Sequence, residues 1–336
     1  MKERVVIICP GRGSYTKENL GGLQKFRPLL NEFFSRLDTK RAALGTPTIT
    51  ELDQEVVFKP QVHTKGENAS VLIYAYSYAD YLNLDQEKYE VVAVTGNSMG
   101  WYTALAVAKA LDVNGAFEVI NTMGSMMQGE VVGGQIIYPV INEQWQVVPK
   151  TISLIDEALQ EVNKLEGCQA WISICLGGYR VIGGNQKALD FLLKRLPKYE
   201  NYPFQLINHA AFHTPLMKET SRKALSLLGK ELFHRPKLPL IDGQGRLWTP
   251  WSTDLEELHE YTFTTQVTEK YDFSKAVTVA LKEFCPDKLV LLGPGNTLGG
   301  ALGQILIEND WHSLKRKTDF VECQKANPFL LSLGRV

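Results

Sequence analysis

The sequence predicts an α/β protein in which a parallel-sheet core is interrupted by a small two-layer insertion. Two observations carry this prediction. Continuous apolar runs at residues 5–9, 89–95 and 290–292 each lead into a glycine-containing turn, and apolar helical segments follow the last two. The stretch from about 133 to 205 has a different sequence pattern, in which strand-like and helical segments alternate. Strands buried in a parallel sheet are apolar on both faces, so such runs are typical of one.

The elements of the first half follow from local composition. Residues 5–9 are predicted as a buried strand, because the run is too short for the apolar region of a secretion signal and Pro-Gly interrupts it. Residues 69–84 are long and apolar enough for a mostly buried helix. Residues 89–95 predict a second strand that ends at Gly96, and residues 103–111 after it are rich in strong helix formers.

The middle segment predicts a βαββα order over about 75 residues. Strands are expected within 133–140 and 170–183, and helices near 152–165 and 186–196. We therefore expect a core formed by residues 1–132 and 206–336, and a subdomain formed by residues 133–205. The run at 290–292 predicts a further core strand, and the sequence beyond about Lys317 carries little periodic signal.

Composition excludes several classes of function. The 336 residues carry 36 basic and 37 acidic side chains, whereas a nucleic-acid binder would need a basic excess. The 44% hydrophobic content excludes disorder as the dominant state, and no segment approaches the roughly 18 apolar residues that span a bilayer. Five scattered cysteines favour reduced thiols and the cytoplasm, and they give little support to a metal site. We expect an enzyme.

The strongest motif is the GxSxG sequence at residues 96–100, set between a strand-like run and a helix. A serine on a tight strand-to-helix turn needs neighbouring glycines, because the backbone is strained and other chain segments pass close to it. Ser98 would stand at a helix N-terminus, where the Met99 N–H is placed to stabilise developing negative charge. The alternative interpretation is a glycine-rich turn that contains an incidental serine.

A serine nucleophile requires a base that accepts its proton. Sequence spacing does not select one histidine, although an apolar cluster surrounds the histidine of the FHTPLM segment. The candidates are His63, His209, His213, His234, His259 and His312.

Four segments in one order resemble the malonyl-CoA:acyl-carrier-protein transacylase family. They are PGRGS at 10–14, GNSMG at 96–100, FHTPLM at 212–217 and GPGNTLGG at 293–300, and the resemblance extends over about residues 4 to 310. It implies an α/β-hydrolase-like core with an inserted ferredoxin-like subdomain. Neither PGRGS nor GPGNTLGG matches a nucleotide-binding fingerprint.

The resemblance also implies a ping-pong mechanism. Ser98 would attack an acyl-coenzyme A thioester with His213 as general base, and the phosphopantetheine thiol of an acyl carrier protein would collect the acyl group, in fatty-acid or polyketide synthesis. The N–H groups of Arg12 and Met99 would form the oxyanion hole. A main-chain carbonyl near Gln266 would orient His213, so no acidic third member is required. The substrates would be the thioester and the carrier protein, with no permanently bound cofactor and no metal, nucleic acid or membrane involved.

The sequence departs from the family pattern at four positions. Asn97 replaces a histidine, Arg12 replaces a glutamine and Trp101 replaces a glutamate. Met123 stands where malonyl-specific members carry the arginine that grips the free malonyl carboxylate. The resemblance implies substrate contacts from Arg12, Asn97, Met123 and Phe212.

The exchange at Met123 predicts an acyl group without a carboxylate, because a thioether neither neutralises a carboxylate nor donates a hydrogen bond to it. Arg12 is the one local cation that could take over that role. A simpler interpretation of Met123, Met126 and Met127 is packing on an apolar helix face. Both interpretations agree that α-helical residues after the nucleophile provide no carboxylate clamp.

Three other functions remain open at this stage. Loss of the clamp suits a hydrolase of the same fold that clears acyl groups from a carrier protein. A carrier-protein docking module with weak activity is a second alternative, although the retained serine and histidine count against it. A generic esterase is a third alternative. Its catalytic triad would require an acidic residue between the nucleophile and the histidine, and it would not explain the PGRGS and GPGN segments.

Overall fold

A computed structural model of the chain describes residues 1–126 and 132–334. Met127, one of the three methionines considered above, lies outside these residues. The strands, in chain order, are β1 Glu3–Cys9, β2 Tyr89–Gly96, β3 Gly134–Pro139, β4 Ala170–Leu176, β5 Tyr179–Gly184, β6 Phe204–Gln205, β7 Leu240–Ile241, β8 Leu247–Trp248, β9 Tyr271–Asp272, β10 Lys288–Leu291 and β11 Leu330–Ser332. They form two sheets.

Helices cover both sheets. They are α1 Arg27–Ala43, α2 Ile49–Asp53, α3 Pro60–His63, α4 Gly66–Leu82, α5 Gly100–Val107, α6 Val113–Ser125, α7 Pro149–Val162, α8 Gln186–Arg195, α9 Lys218–Leu227, α10 Leu255–Phe263, α11 Thr265–Thr268, α12 Phe273–Phe284, α13 Gly299–Glu308 and α14 Lys317–Ala326. Side-chain caps set several starts: Asp112 accepts the Gly115 N–H at α6, and Asn185 accepts the Ala188 N–H at α8.

The larger sheet has the order β11-β10-β1-β2-β7-β8 and is parallel except for β8, which pairs antiparallel with β7. The predicted strands at 5–9, 89–95 and 290–292 and the buried helix at 69–84 are confirmed as β1, β2, β10 and α4. The β1–β2 register pairs Cys9 with Gly96. Both strands therefore end at the same edge of the sheet, which brings the PGRGS loop beside the serine turn.

The smaller sheet has the order β6-β3-β5-β4-β9, and its β3, β4, β5 and β6 pairings are antiparallel. The predicted βαββα order is present as β3-α7-β4-β5-α8, around a second apolar cluster drawn from residues 136–196. The sheet extends beyond that order, because β9 from the other half of the chain pairs parallel with β4. The ferredoxin-like description and the boundaries at 133 and 205 stay predictions.

The C-terminal segment is more regular than its sequence indicates. It forms α14 and then β11, which adds an edge strand to the larger sheet beside β10. A three-residue strand is too short to produce a periodic pattern, and Phe320 is the one buried residue of α14. Within residues 1–126 and 132–334, no helix combines the length and apolar character that crossing a membrane requires.

Candidate active site

Ser98 occupies a sharp turn between β2 and α5, where its φ of 55° places it in the left-handed region. The glycines around it are required by close main-chain approaches. A Cβ on Gly96 would overlap the Gly100 carbonyl, and a Cβ on Gly100 would overlap the Cys9 carbonyl. A Cβ on Gly11 would lie 2.5 Å from the Asn97 carbonyl oxygen. The PGRGS loop and the serine turn therefore pack main chain against main chain.

The structure brings Ser98 and His213 together across 115 residues of sequence. The Ser98 Oγ lies 2.7 Å from the His213 Nε2, and the His213 Nδ1 lies 2.5 Å from the main-chain oxygen of Gln266. A carbonyl oxygen can only accept, so Nδ1 carries the proton and Nε2 presents its lone pair to the serine. This is the tautomer that a general base for Ser98 needs.

Burial keeps the His213 ring neutral. The side chain is 1% exposed, and desolvation lowers its pKa to about 4, although the hydrogen bond to Gln266 works in the opposite direction. The free base therefore dominates at neutral pH. An imidazolium formed during a reaction would be stabilised there by the Gln266 carbonyl.

The side chain of Gln266 has a role that the sequence does not indicate. Its Nε2 donates to the main-chain oxygen of Ser98 at 3.1 Å, and its Oε1 accepts from the Tyr102 hydroxyl at 2.9 Å. The same residue thus holds His213 through its main chain and the serine turn through its side chain. The resemblance predicts only the main-chain contact, and no local pattern around Gln266 marks the second one.

Arg12, in the PGRGS loop, and Met99, at the start of α5, border the same cavity as Ser98. Among the backbone hydrogen bonds of the described parts of the chain, none is donated by the N–H group of either residue. Buried backbone donors are nearly always paired, so two unpaired donors beside a serine are suited to hold an oxygen that becomes negative.

Ser98 lies between two cavities. The smaller one, of about 40 Å³, is lined mainly by apolar groups beside Ser98, among them Met99, Met123 and Phe212. The larger one, of about 460 Å³, runs between the two sheets and is lined mainly by apolar groups, with Arg12, Asn97, Gln135 and His209 among its polar residues. A cavity needs roughly 10–15 Å³ to hold one water, so the smaller cavity accommodates a group of only a few heavy atoms.

The sequence-predicted substrate residues divide between these cavities. Met123, on α6, is 4% exposed and lines the small cavity, and Phe212 lines both. Asn97 lines only the large cavity, and its Oδ1 is buried without a hydrogen-bond partner in the described residues. Trp101 points away from both, since its Nε1 donates to Thr262 Oγ1 and its ring packs edge-on against Tyr261.

Arg12 is the cation that borders both cavities. Its Nη2 donates to the main-chain oxygens of Thr64, at 3.1 Å, and Asn208, at 2.7 Å. Its Nε is buried and has no partner within the described residues, where no carboxylate forms an ion pair with it either. Burial lowers the pKa of the Arg12 guanidinium to about 10, so the side chain remains charged at neutral pH.

These features define a mixed α/β protein whose candidate site is a serine–histidine pair at the end of a parallel sheet. Comparison with known proteins refines this class. No protein-family model matches the chain. It is 22% identical over 311 residues to a polyketide biosynthesis malonyl-CoA:acyl-carrier-protein transacylase of Bacillus subtilis, a match that covers 90% of this chain and 96% of that protein.

A non-reducing polyketide synthase of Stereocaulon alpinum is 27% identical over 179 residues, which span 50% of this chain but only 6% of that protein. Among solved structures, the malonyl-CoA:acyl-carrier-protein transacylase of Synechocystis has a TM-score of 0.75 at 16% identity and covers 100% of this chain and 98% of its own. A malonyl-transacylase solved in complex with a polyketide acyl carrier protein has a TM-score of 0.74 at 20% identity, with coverages of 91% and 93%.

The chain therefore has the fold of the malonyl-CoA:acyl-carrier-protein transacylases, as its four motifs predict.

Proposed function

We propose that the chain is an acyltransferase that moves a short acyl group from a coenzyme A thioester to the phosphopantetheine thiol of an acyl carrier protein. The observation that carries this proposal is the 2.7 Å contact between Ser98 and a neutral His213 at the junction of two cavities. The fold of the transacylases and the carrier-protein complex of one structural neighbour support the choice of acceptor.

In the first half-reaction, the Ser98 Oγ attacks the thioester carbonyl while His213 Nε2 accepts the hydroxyl proton. The Arg12 and Met99 N–H groups stabilise the oxyanion of the tetrahedral intermediate. The intermediate expels the coenzyme A sulfur, which takes the proton from His213, and leaves an ester on Ser98. In the second half-reaction, the carrier thiol gives its proton to His213, attacks the ester and releases Ser98, which recovers that proton.

The two cavities would hold different parts of the thioester substrate. The narrow cavity at Met123 suits the acyl group, and the wider one, whose lining combines apolar and polar groups, suits the pantetheine arm of either thioester. Because the cavity at Met123 is small and mostly apolar, we propose an uncarboxylated acyl group such as acetyl. A long chain does not fit the narrow cavity.

A second candidate substrate is a short acyl group that ends in a carboxylate. One observation favours it: the Arg12 guanidinium borders the acyl cavity with a buried, unpartnered Nε. Against it, the two Nη2 contacts are already made with main-chain oxygens, which leaves no parallel pair of donors for a bidentate carboxylate contact.

Intact-protein mass measurement tests the proposal directly. The protein is incubated with acetyl-coenzyme A or malonyl-coenzyme A, and the mass added at Ser98 is followed, with Ser98→Ala as the control that cannot be acylated. We expect one acetyl group per chain and little malonyl. Stoichiometric malonyl addition would establish the carboxylated alternative, and no addition from either thioester would favour the docking module.

The fate of the acyl group separates transfer from hydrolysis. The acylated protein is freed of coenzyme A and mixed with buffer alone or with a phosphopantetheine-bearing carrier protein. We expect the acyl group to appear on the carrier far faster than it is lost to water. Equal loss in both mixtures would overturn the transferase proposal in favour of a hydrolase.

A further inference from the structure

A set of polar contacts runs from the small sheet to the peptide that precedes His213. Ser173, on β4, donates from its hydroxyl to the Phe212 carbonyl at 2.8 Å. Gln135, on β3, donates from its Nε2 to the same carbonyl at 3.3 Å and to the Ser173 Oγ at 2.7 Å. Both side chains are buried, at 3% exposure for Gln135 and 0% for Ser173.

The other face of this peptide is held by the larger half of the molecule. The His213 N–H donates to the Val267 carbonyl at 2.8 Å. His213 itself has a φ of 60°, a left-handed conformation that a non-glycine residue keeps only when its surroundings impose it. The peptide between Phe212 and His213 is thus fixed by its carbonyl from the small sheet and by its N–H from the core.

The Gln135 amide is itself held in one orientation. His209 Nδ1 lies 3.1 Å from the Gln135 Oε1, and burial together with the nearby charge of Arg12 lowers the pKa of His209 to about 3. The ring is therefore neutral, and Nδ1 must carry its proton to donate to the amide oxygen. This contact turns the Gln135 Nε2 toward the Phe212 carbonyl, where a donor is needed.

We propose that Gln135 and Ser173 are positioning residues for His213: they hold the Phe212 carbonyl so that the histidine ring stays aimed at Ser98. The small sheet then takes part in activating the serine, in addition to forming one wall of the large cavity. This inference rests on the proposed role of His213 as the base for Ser98.

The test measures Ser98 activation without either natural substrate. A small fluorophosphonate reacts with a serine that has a base and an oxyanion hole, and it needs no coenzyme A or carrier site. We expect Ser173→Ala and Gln135→Met to lower the labelling rate by about 10- to 100-fold, the range that a misplaced catalytic group produces. Ser173→Thr, which keeps the hydroxyl, is expected to recover most of the rate.

Ser77→Ala is the matched control, because Ser77 is equally buried and also donates to a main-chain carbonyl, that of Gly293, away from both cavities. It should lose a similar amount of thermal stability and label at the wild-type rate. Folding of each variant is checked by circular dichroism and thermal unfolding.

The pH profile of labelling provides a readout that mere destabilisation would not move. In the wild type, the labelling rate should reach half of its maximum near pH 4, because the buried His213 becomes protonated there. A ring released toward the open cavity regains water, so in Ser173→Ala the midpoint should move up toward pH 6.5.

The outcomes separate this inference from the proposed function. Equal labelling rates and equal midpoints in the wild type and Ser173→Ala would overturn the positioning role and leave the transferase proposal intact. Labelling without any acylation by thioesters would overturn the transferase and still allow the positioning role to be measured. A wild type that fails to label at Ser98 would overturn both.

Discussion

We propose that two side chains, those of Met123 and Arg12, decide which acyl groups fit beside Ser98. The resemblance places an arginine at the Met123 position and a glutamine at the Arg12 position, whereas this chain carries a methionine and an arginine there. Compared with that pattern, the positive charge of this chain lies on the loop after β1 and not on α6. Its two Nη2 contacts tie that loop to the main chain at Thr64 and Asn208, so the side chain also acts as a brace.

Met123→Arg should shift the acyl preference toward malonyl. A guanidinium on α6 would face the small cavity and could donate two parallel hydrogen bonds to a carboxylate. Charge-assisted hydrogen bonds contribute roughly 1.5–3 kcal/mol, so we expect the ratio of malonyl to acetyl addition at Ser98 to rise about 10- to 100-fold. Met123→Leu is the control for side-chain volume, and an unchanged ratio in Met123→Arg would show that α6 does not face the acyl group.

Arg12→Gln tests the competing location for the carboxylate contact. If the acyl group is uncharged, this substitution should change acetyl and malonyl addition by the same factor, since it removes only the brace to Thr64 and Asn208. The measurement is the rate of mass addition at Ser98 from each thioester. A loss of malonyl addition that exceeds the loss of acetyl addition by tenfold or more would place the carboxylate at Arg12.

On acidification, activity should be lost at a pH well below the pKa of an ordinary histidine. The base must be neutral to accept the Ser98 proton, and burial lowers the His213 pKa to about 4. Acylation should therefore be nearly constant above about pH 5 and fall as the pH drops through 4. A rate profile with its midpoint near 6.5 would contradict this, provided that circular dichroism shows a folded protein throughout.

The positions of site residues were predictable where a short motif contains them. Ser98, Met99 and Arg12 lie in short segments whose glycines require a turn, and the structure brings these segments together. The contacts of Gln135 and Ser173 with Phe212 join residues 39 to 77 positions apart, and the Gln266 side chain reaches Ser98 over 168 positions. No periodicity or local motif marks such pairs, because each partner alone resembles an ordinary buried polar side chain.

At the scale of elements, the strand–turn–helix unit around Ser98 depends on main-chain contacts that exclude side chains. Gly100 begins α5 directly against the Cys9 carbonyl at the end of β1. The approach is possible because the β1–β2 register pairs Cys9 with Gly96 at the same sheet edge. The position of the turn relative to the PGRGS loop is therefore set by two backbones in contact.

Gly100→Ala should destabilise the protein and abolish acylation. The new Cβ would overlap the Cys9 carbonyl, and a packed backbone can move aside only by separating β1 from α5. We expect a loss of about 3 kcal/mol or more in unfolding free energy, at the upper end of overpacking effects. Denaturant unfolding and Ser98 labelling measure the two consequences.

Gly300→Ala is the matched control for that substitution. Gly300 is exposed in the first turn of α13, and its nearest non-local neighbour is the Trp145 ring, 4.0 Å from an added Cβ. Alanine is the better helix former, so this variant should be unchanged or more stable by up to about 1 kcal/mol. Equal destabilisation by both substitutions would show that the close approach at Gly100 is not what matters.

Element prediction succeeded for long apolar segments and failed where pairing alone defines the element. β1, β2, α4 and the βαββα order were predictable from runs and helical spacing. β9 and β11 are two and three residues long, and they exist as strands because β4 and β10 offer them free edges. Such strands depend on tertiary pairing and leave no periodic signal in the sequence.

At the scale of the whole molecule, the candidate site lies where the two sheets meet. The histidine segment at 208–213 is held by the small sheet through Gln135 and Ser173 and by the core through Gln266 and Val267. Of its two histidines, His213 is buried and His209 is partly buried, and desolvation lowers both pKa values far enough to keep the rings neutral in the folded chain. Global unfolding exposes them, so the assembly of the two halves is linked to proton binding.

His209→Asn should flatten the dependence of stability on pH. In the folded state, the pKa of His209 is lowered from its usual 6.5 to about 3, mainly by burial. Between these values the unfolded chain binds one more proton at this site, so the free energy of unfolding rises with pH, by up to about 1.4 kcal/mol per pH unit. Acidification from pH 7 to 5 should therefore destabilise the wild type by about 2 kcal/mol more than the variant. Asparagine still offers an N–H to the Gln135 oxygen.

The comparison between wild type and variant matters because other buried groups oppose this trend. Burial raises the pKa of Asp80 to about 6, so that carboxyl stabilises the fold at low pH and loses its contribution as the pH rises from about 4 to 6. Asp80, like His213, is unchanged in His209→Asn, and its contribution cancels in the difference. Denaturant unfolding at pH 5, 6 and 7 gives that difference directly. Parallel curves for the two proteins would mean that His209 is hydrated in the folded state and that the contact between the small sheet and the histidine segment opens in solution.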